Sequence, residues 1–131
     1  MGAGLLDTSV VIDWHDPVVL EALPDQVAVS AITLAELAAG PHLASTPGEA
    51  ARRQVRLQEV ESKLEPLPLD ADAARSYGQI VAAAVAAGRT HRRRVADLMI
   101  AAIAHSNGLD LYTRNSSDFT GLGDLINIVG I

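Results

Sequence analysis

The stretch Gly4-Leu5-Leu6-Asp7-Thr8-Ser9 decides the fold of this chain, because an apolar run ends directly on a carboxylate. Residues 3–6 predict a short buried strand, and the polar triplet after them predicts a turn into a short helix that ends near Trp14. Asp7 is therefore expected at the carboxyl end of a strand. In parallel α/β sheets, ligands collect at that edge.

Apolar segments that read as strands alternate with helical segments along the rest of the chain. Strands are expected over 27–30, 109–113 and 125–129, with an extended piece at 67–69. Helices are expected over 33–39, where Gly40-Pro41 should stop the chain, and over 47–65, 71–87 and 95–107. This alternation predicts a three-layer α/β/α sandwich with a central, mainly parallel sheet, in a single domain spanning residues 1–131.

The bulk composition is that of one ordered domain. The 131 residues are 49% hydrophobic, and the absence of cysteine excludes disulfides, thiolate metal sites and cysteine nucleophiles. Apolar stretches around 80–87 and 98–104 are too short to cross a bilayer, so no membrane association is expected. The N-terminus lacks the basic segment of a signal peptide, and the expected location is therefore cytoplasmic.

Three further carboxylates stand within an apolar segment, beside one, or in a polar loop. Glu36 interrupts the apolar run 32–37, Asp97 precedes the apolar run 98–103, and Asp118 ends the polar loop 114–118. An ionised carboxylate taken out of water needs a compensating cation. No lysine or arginine adjoins Asp7, Glu36 or Asp97 in the sequence. A hard divalent metal, Mg²⁺ or Mn²⁺, is the better partner because it prefers oxygen ligands.

The arginines fall into two groups, although the formal net charge of −6 argues against a protein that coats nucleic acid generically. The first group, Arg52, Arg53 and Arg56, and the second, within 89–94, could each be a solvated face or an anchor for phosphate. The second group is favoured as an anchor because it leads directly into the helix of Asp97. The residues expected to bind RNA are Arg92, Arg93, Arg94 and Arg114.

Four motifs in this order resemble those of a known family. They are Leu5-Leu6-Asp7-Thr8-Ser9, Glu36 within an Ala-Glu-Leu helix, Asp97-Leu98-Met99-Ile100-Ala101-Ala102, and Thr113-Arg114-Asn115 followed by Asp118-Phe119. The chain resembles the PIN-domain ribonucleases and, among them, the VapC toxins of bacterial toxin–antitoxin pairs. The resemblance runs from Gly4 to Ile128.

The resemblance implies an endoribonuclease that depends on Mg²⁺ or Mn²⁺, with Asp7, Glu36 and Asp97 at the family's acidic metal positions. The metal would activate water for attack on phosphorus and neutralise the leaving oxygen. A hydroxyl after the first acid, here Ser9 in preference to Thr8, would hold the metal's water shell or the acid itself. One metal is expected in the free protein and a second with RNA.

The last loop departs from the family pattern. Asn115 stands where a fourth acid often lies, and Asp118 follows three residues later. The fourth catalytic and metal-binding position is therefore assigned to Asp118. Asn115 and Thr113 are interpreted as supporting residues, with Asn115 shaping the loop or orienting water.

The resemblance also implies partners. The expected substrate is structured RNA, cut in a tRNA or ribosomal RNA loop, because folded RNA exposes its bases for reading in single-stranded loops. The expected protein partner is a cognate VapB-type antitoxin whose C-terminal segment covers the acidic groove and presents an arginine to it. A homodimer and a toxin–antitoxin hetero-oligomer are expected, and the candidate dimer face comprises Val11, Ile12 and Leu37.

Each acid also has a purely structural interpretation. Thr33-x-x-Glu36 matches a capping box, Asp97 could complement a helix dipole, and Asp7 or Asp118 could cap its own turn. The local hydroxyls of Thr8 and Ser9 could act as caps as well. Asp13 and Asp16 read as solvated turn residues, and the four histidines have no spacing typical of metal ligands.

Functions from other classes fit the sequence less well. A phosphoacceptor receiver domain needs a lysine after its last sheet strand, whereas the only lysine here, Lys63, lies in a polar helix. A phosphohydrolase of the haloacid dehalogenase type needs a second aspartate where Ser9 stands. The remaining alternative is a catalytically weak PIN-like module that acts by binding RNA or protein.

Overall fold

All four strands of the protein lie in one parallel sheet of order β2-β1-β3-β4, in a computed structural model that describes residues 2–131. The strands are β1 (Ala3–Leu6), β2 (Gln26–Ala28), β3 (Asp110–Thr113) and β4 (Ile128–Gly130). The helices are α1 (Thr8–Val11), α2 (Pro17–Ala22), α3 (Ala31–Leu43), α4 (Pro47–Lys63), α5 (Ala71–Ala86) and α6 (Val95–Ser106), with a 3₁₀ helix at Ser116–Phe119.

The sheet is covered by helices on both faces, which confirms the expected three-layer sandwich. Successive strand residues point to opposite faces. Leu5 accordingly joins a core formed with α5 and α6, whereas Leu6 joins a second core formed with α1 to α4. Both side chains are fully buried. Within residues 2–131, no helix combines the length and apolar character that a bilayer span requires.

Local signals in the sequence explain where the long helices begin and end. The Asp70 carboxylate accepts a hydrogen bond from the Ala73 amide at 2.9 Å and so caps α5, as expected. Gly108 follows α6 with a φ of +65°, a conformation that glycine adopts without steric cost. Helix α6 begins at Val95 without a side-chain cap, and Asp97 lies in its first turn.

The predicted end of α3 is wrong. The helix continues through Gly40 and Pro41 to Leu43. Pro41 lies in the last turn and, lacking an amide hydrogen, cannot donate to the Leu37 carbonyl four residues earlier, yet the helix continues past it. Nη1 of Arg53, on α4, donates to the Gly40 carbonyl oxygen at 2.9 Å. Gly40 and Pro41 therefore lie within α3 and do not terminate it.

Two other boundaries also differ from the expectation. The first helix ends at Val11, and a separate helix, α2, follows after Asp16-Pro17, an N-cap residue and a proline at the first helical position. The final strand begins at Ile128 instead of 125, because the amides of Leu125 and Ile126 donate to the Leu122 carbonyl in a turn.

The predicted dimer face is wrong for two of its three residues. Val11 has none of its surface exposed and Leu37 has 6%, because both pack into the core beneath α1 to α4. Ile12 alone is exposed, with 42% of its surface accessible. Buried side chains of this kind stabilise the protomer and offer nothing to a second copy.

Glycine is required at position 4 because the neighbouring strand leaves no space for a side chain there. A Cβ atom at this position would overlap the Tyr112 ring and lie 3.1 Å from Cγ of Pro24. We expect Gly4→Ala to lower the free energy of unfolding by about 1–3 kcal/mol, because overpacking forces neighbouring groups apart. Urea denaturation measures the change.

Gly78→Ala is the matched control, because Gly78 lies within α5 and a Cβ there meets no atom within 4 Å. It should raise the free energy of unfolding by roughly 0.5–1 kcal/mol, since alanine has the higher helix propensity. Equal effects of the two substitutions would contradict this account of the strand contact.

Candidate active site

Asp7 is held in place by three donors at the carboxyl end of β1. Its Oδ1 accepts from the Thr8 amide at 2.8 Å, and its Oδ2 accepts from the hydroxyls of Ser9 and Thr113, each at 2.8 Å. Only 4% of the residue is exposed. Because an ionised carboxylate offers about four lone-pair sites, Oδ1 keeps acceptor capacity for a further ligand. Asp7 also caps α1, so its structural and candidate functional roles coexist.

Glu36 projects from α3 toward α1, where the Thr8 hydroxyl donates to its Oε1 at 2.6 Å. The Thr8 hydroxyl also lies 2.9 Å from that of Thr33. The capping-box interpretation of Glu36 is wrong, because the N-cap of α3 is Ser30, whose hydroxyl accepts from the Thr33 amide at 3.0 Å. The carboxylate is thus directed to the acidic cleft and leaves the backbone of its own helix alone.

Asp97 is the least compensated of the four acids. It is half-buried in the first turn of α6 and has no hydrogen bond or ion pair to any of residues 2–131. Burial, followed by the negative charges of Asp7, Asp118 and Glu36, raises its pKa to about 6, against a small opposing effect of Arg94. Asp7, Glu36 and Asp118, from distant parts of the sequence, therefore lie close enough to act on Asp97.

Asp118 is paired with an arginine. Its Oδ1 accepts from Nη1 of Arg94 at 2.9 Å, and the same guanidinium nitrogen donates to its backbone carbonyl at 3.2 Å. Asn115 is exposed, and its backbone amide donates to the Thr113 hydroxyl at 3.0 Å. Of the two loop residues, Asp118 is the one whose charge acts on Asp97, while Asn115 helps to orient the Thr113 hydroxyl that holds Asp7.

The other arginines expected to bind RNA differ in whether an acid of the protein is paired with them. Arg92 and Arg93 are exposed and make no hydrogen bond or ion pair within residues 2–131. Arg114, by contrast, is paired with Asp13 at 3.0 Å and lies 3.7 Å from Asp16. These two acids are exposed residues of a turn, as expected, but they also fix Arg114, and the Asp16 carboxylate caps α2.

The donor set suits a hard cation, although its members stand apart from one another in this structure. Among residues 2–131, no three carboxylate or imidazole groups stand close enough to share an ion. All four acids nevertheless supply oxygen ligands, as Mg²⁺ and Mn²⁺ prefer. Asp97 has a raised pKa and no cation of its own, so a divalent ion beside it and Asp7 would relieve the repulsion that raises that pKa.

Sequence reasoning named Arg94 as a contact for RNA but missed its pairing with Asp118, an acid 24 residues away. It also missed Thr33, which is buried and supports Thr8, because the only signal of Thr33 in the sequence was the misleading capping-box spacing. Two of the histidines have partners outside the four acids: His15 contacts the Glu59 carboxylate at 2.8 Å, and His105 contacts the Ser76 hydroxyl at 2.9 Å.

Comparisons of the sequence and of the fold with known proteins point to the same protein family. A family model described as the PIN domain matches residues 4–123. Ribonuclease VapC5 of Mycobacterium tuberculosis is 40% identical over 122 residues, which make up 92% of this chain and 87% of that protein.

Solved structures agree with this grouping. A chain of the VapBC-5 crystal structure from Mycobacterium tuberculosis, a member of the VapBC family of toxin–antitoxin systems, matches with a TM-score of 0.86 and 37% identity, covering 100% of both chains. A chain of DNA-bound VapBC from Salmonella typhimurium matches with a TM-score of 0.75 and 29% identity, covering 98% of this chain and 97% of that one.

Removing the charge of Asp97 should stabilise the metal-free protein. Because its pKa is raised from 3.8 to about 6, the folded state binds the proton more tightly than the unfolded chain, and the free energy of unfolding falls as pH rises through this range. We expect Asp97→Asn to be more stable than the wild type by about 1–3 kcal/mol at pH 7, at roughly 1.4 kcal/mol for each pKa unit and with allowance for partial hydration.

Urea denaturation in EDTA between pH 3.5 and 7.5 measures this difference, which should shrink as pH falls below about 6 and become small at pH 3.5, where most of the unfolded chain is protonated as well. Asp124→Asn, at an exposed position, is the control and should change stability by no more than about 0.5 kcal/mol. A destabilised Asp97→Asn at pH 7 would contradict the proposed repulsion.

Proposed function

The chain belongs to the PIN-domain family and, within it, to the VapC ribonucleases, and from that premise we propose that it is a metal-dependent endoribonuclease that acts as the toxin of a toxin–antitoxin pair. The observation that carries the proposal is Asp97. A half-buried carboxylate without a donor, surrounded by three other acids, is an unfavourable arrangement unless a cation binds there.

Asp7, Asp97, Glu36 and Asp118 are the proposed metal ligands. Asp7 and Asp97 are the core of the set, because Asp7 is held rigidly by hydroxyls and Asp97 has all of its acceptor sites free. Glu36, which now accepts from Thr8, and Asp118, which now accepts from Arg94, complete the proposed set. When bound, Mg²⁺ or Mn²⁺ supplies a polarised water and neutralises charge that develops on the phosphate.

Hydroxyl groups and arginines around the four acids hold the proposed ligands and the RNA phosphate in position. Ser9 and Thr113 fix the Asp7 carboxylate in one orientation, and Thr8 does the same for Glu36. The Asp118 carboxylate keeps Arg94 at the rim of the cleft, where the guanidinium can donate to two oxygens of one phosphate. Arg92 and Arg93 extend this positive rim, and Arg114 remains a weaker contact because Asp13 holds it.

The proposed substrate is an RNA loop in tRNA or ribosomal RNA, which places the protein in the cytoplasm. The proposed protein partner is a VapB-type antitoxin, because structural relatives are toxin–antitoxin complexes. An arginine from the antitoxin would find the uncompensated Asp97 carboxylate as its counterion. We further propose a homodimer, with Ile12 as the one exposed residue of the face expected from the sequence.

Incubation of purified protein with total bacterial RNA tests the activity. Wild type, Asp7→Ala and Asp97→Asn are each assayed with Mg²⁺, Mn²⁺ or EDTA, and new RNA ends are mapped by sequencing. We expect discrete ends in the presence of metal, and a loss of at least about 100-fold in rate for both variants, because each removes a ligand of the metal.

A control variant and two further outcomes determine what a negative result in this assay means. Asp124→Asn, which changes an exposed acid, should cleave at the wild-type rate. Absence of cleavage by wild type that is verified to be free of antitoxin would contradict the nuclease and favour the PIN-like binding module. Retained cleavage in EDTA would contradict the role of the metal.

Thr113→Val tests whether the hydroxyl that orients Asp7 contributes to activity. The valine has nearly the same shape, but the buried Asp7 carboxylate loses one of its two hydroxyl donors. Loss of a group that orients a metal ligand typically lowers activity or metal affinity by about 10–100-fold, and we expect a fall of that size in cleavage rate.

Thr120→Val is the matched control, since its exposed hydroxyl bonds only to the Ser117 carbonyl. Thermal unfolding of both variants separates lost activity from lost fold. Equal rates for the two variants would show that Asp7 needs no help from Thr113.

A further inference from the structure

A small pocket opens beside Glu36, and Asp118 is not among the residues that line it. It has a volume of about 200 Å³. Its walls include Thr8, Ile12, Glu36, Leu37, Arg53 and Arg56. The pocket therefore shares two of its walls, Thr8 and Glu36, with the candidate active site, and α4 adds two arginines to it.

The two arginines differ in the hydrogen bonds and ion pairs that they form. Arg53 is engaged, because its Nη1 donates to the Gly40 carbonyl at 2.9 Å and its Nε lies 3.4 Å from the Glu49 carboxylate. Arg56 follows three residues later on the same side of α4, and it is half-buried. It forms no hydrogen bond or ion pair with any of residues 2–131.

An unpaired, half-buried guanidinium calls for an explanation in an acidic chain. The sequence has 16 acidic residues and only ten lysines and arginines, so anionic partners are abundant. A guanidinium has five donors and no acceptor, and it matches phosphate geometry in a bidentate manner. The free donors of Arg56 point to an anionic ligand in the pocket.

The charge pattern across the cleft identifies the kind of anion. Arg94, paired with Asp118, lines one pocket together with Asp97, and Arg56 lines a different pocket together with Glu36. A ligand with a single charge, such as a peptide carboxylate, would engage only one of these cations. A chain of repeated phosphates that crosses the acids engages both, with the metal between them.

We propose that this pocket binds the RNA nucleotide next to the scissile bond, with Arg56 contacting its phosphate and the exposed side of Ile12 contacting its ribose or base. The inference rests on the proposed nuclease function and assigns a substrate subsite to it. Arg53, held by Gly40 and Glu49, limits how far the phosphate enters.

Binding and cleavage by an Arg56→Gln variant test the proposal. Affinity for a short single-stranded RNA, derived from a mapped cleavage site, is measured in EDTA over a series of NaCl concentrations. Arg56→Gln should bind about tenfold more weakly, and the slope of log Kd against log salt should become shallower by about 0.7, the value for one phosphate contact in single-stranded nucleic acid. In Mg²⁺, KM should rise about tenfold and kcat should stay within about twofold. The reason is that the lost contact stabilises the bound substrate and the transition state equally.

Arg52→Gln is the matched control, because it removes the same charge from a position one turn away that is 68% exposed and paired with Glu49. It should change affinity, slope and KM by less than about twofold, as expected for an exposed position. Arg56→Lys should restore the salt slope and only part of the affinity. If Arg56→Gln unfolds, Arg56→Lys still tests the bidentate contact.

Equal behaviour of Arg56→Gln and Arg52→Gln, with a wild type that cleaves, would overturn the subsite and leave the nuclease intact. A wild type that binds no RNA and cleaves none would overturn both. A fall in kcat with unchanged KM would also overturn the subsite, since it would move Arg56 into the chemical step.

Discussion

Three carboxylates act on a fourth, Asp97, where the carboxyl ends of β1 and β3 meet α3 and α6, and nearby donors offset the charges of the three. Asp7 accepts hydrogen bonds from two hydroxyls and an amide, Glu36 accepts one from the Thr8 hydroxyl, and Asp118 accepts one from Arg94. Asp97 has no donor within residues 2–131, and burial, followed by the other three charges, raises its pKa to about 6. The uncompensated charge is therefore that of one residue.

The topology makes this arrangement possible. Placing β1 between β2 and β3 in a parallel sheet brings Asp7 and Thr113 to the same edge, although 106 positions separate them in sequence. Helix α6 returns across the sheet and delivers Asp97 in its first turn, where the helix dipole partly offsets the carboxylate charge. The apolar faces of these elements form the core, so the acids stand on well-packed structure.

Local signals predicted the strand that ends just before Asp7, the Asp70 cap of α5 and four acids of which three act on Asp97. They failed where long-range packing decides the outcome. Gly40-Pro41 looked like a helix stop, but Arg53 of the next helix packs on that glycine and satisfies its carbonyl. The spacing of Thr33 and Glu36 looked like a capping box, but the hydroxyl of Thr8, on another helix, donates to the Glu36 carboxylate. The pairing of Arg114 with Asp13, 101 positions away, has no local signal at all.

The most direct test of the central claim is a crystal structure of the protein grown with Mn²⁺ and measured at the manganese absorption edge. The account requires an anomalous peak within coordination distance of the Asp7 and Asp97 carboxylates, and its loss in Asp97→Asn crystals grown in the same way. A cleft without a peak at saturating Mn²⁺, or a peak bound only elsewhere on the surface, would contradict the claim that these acids are gathered to hold a metal.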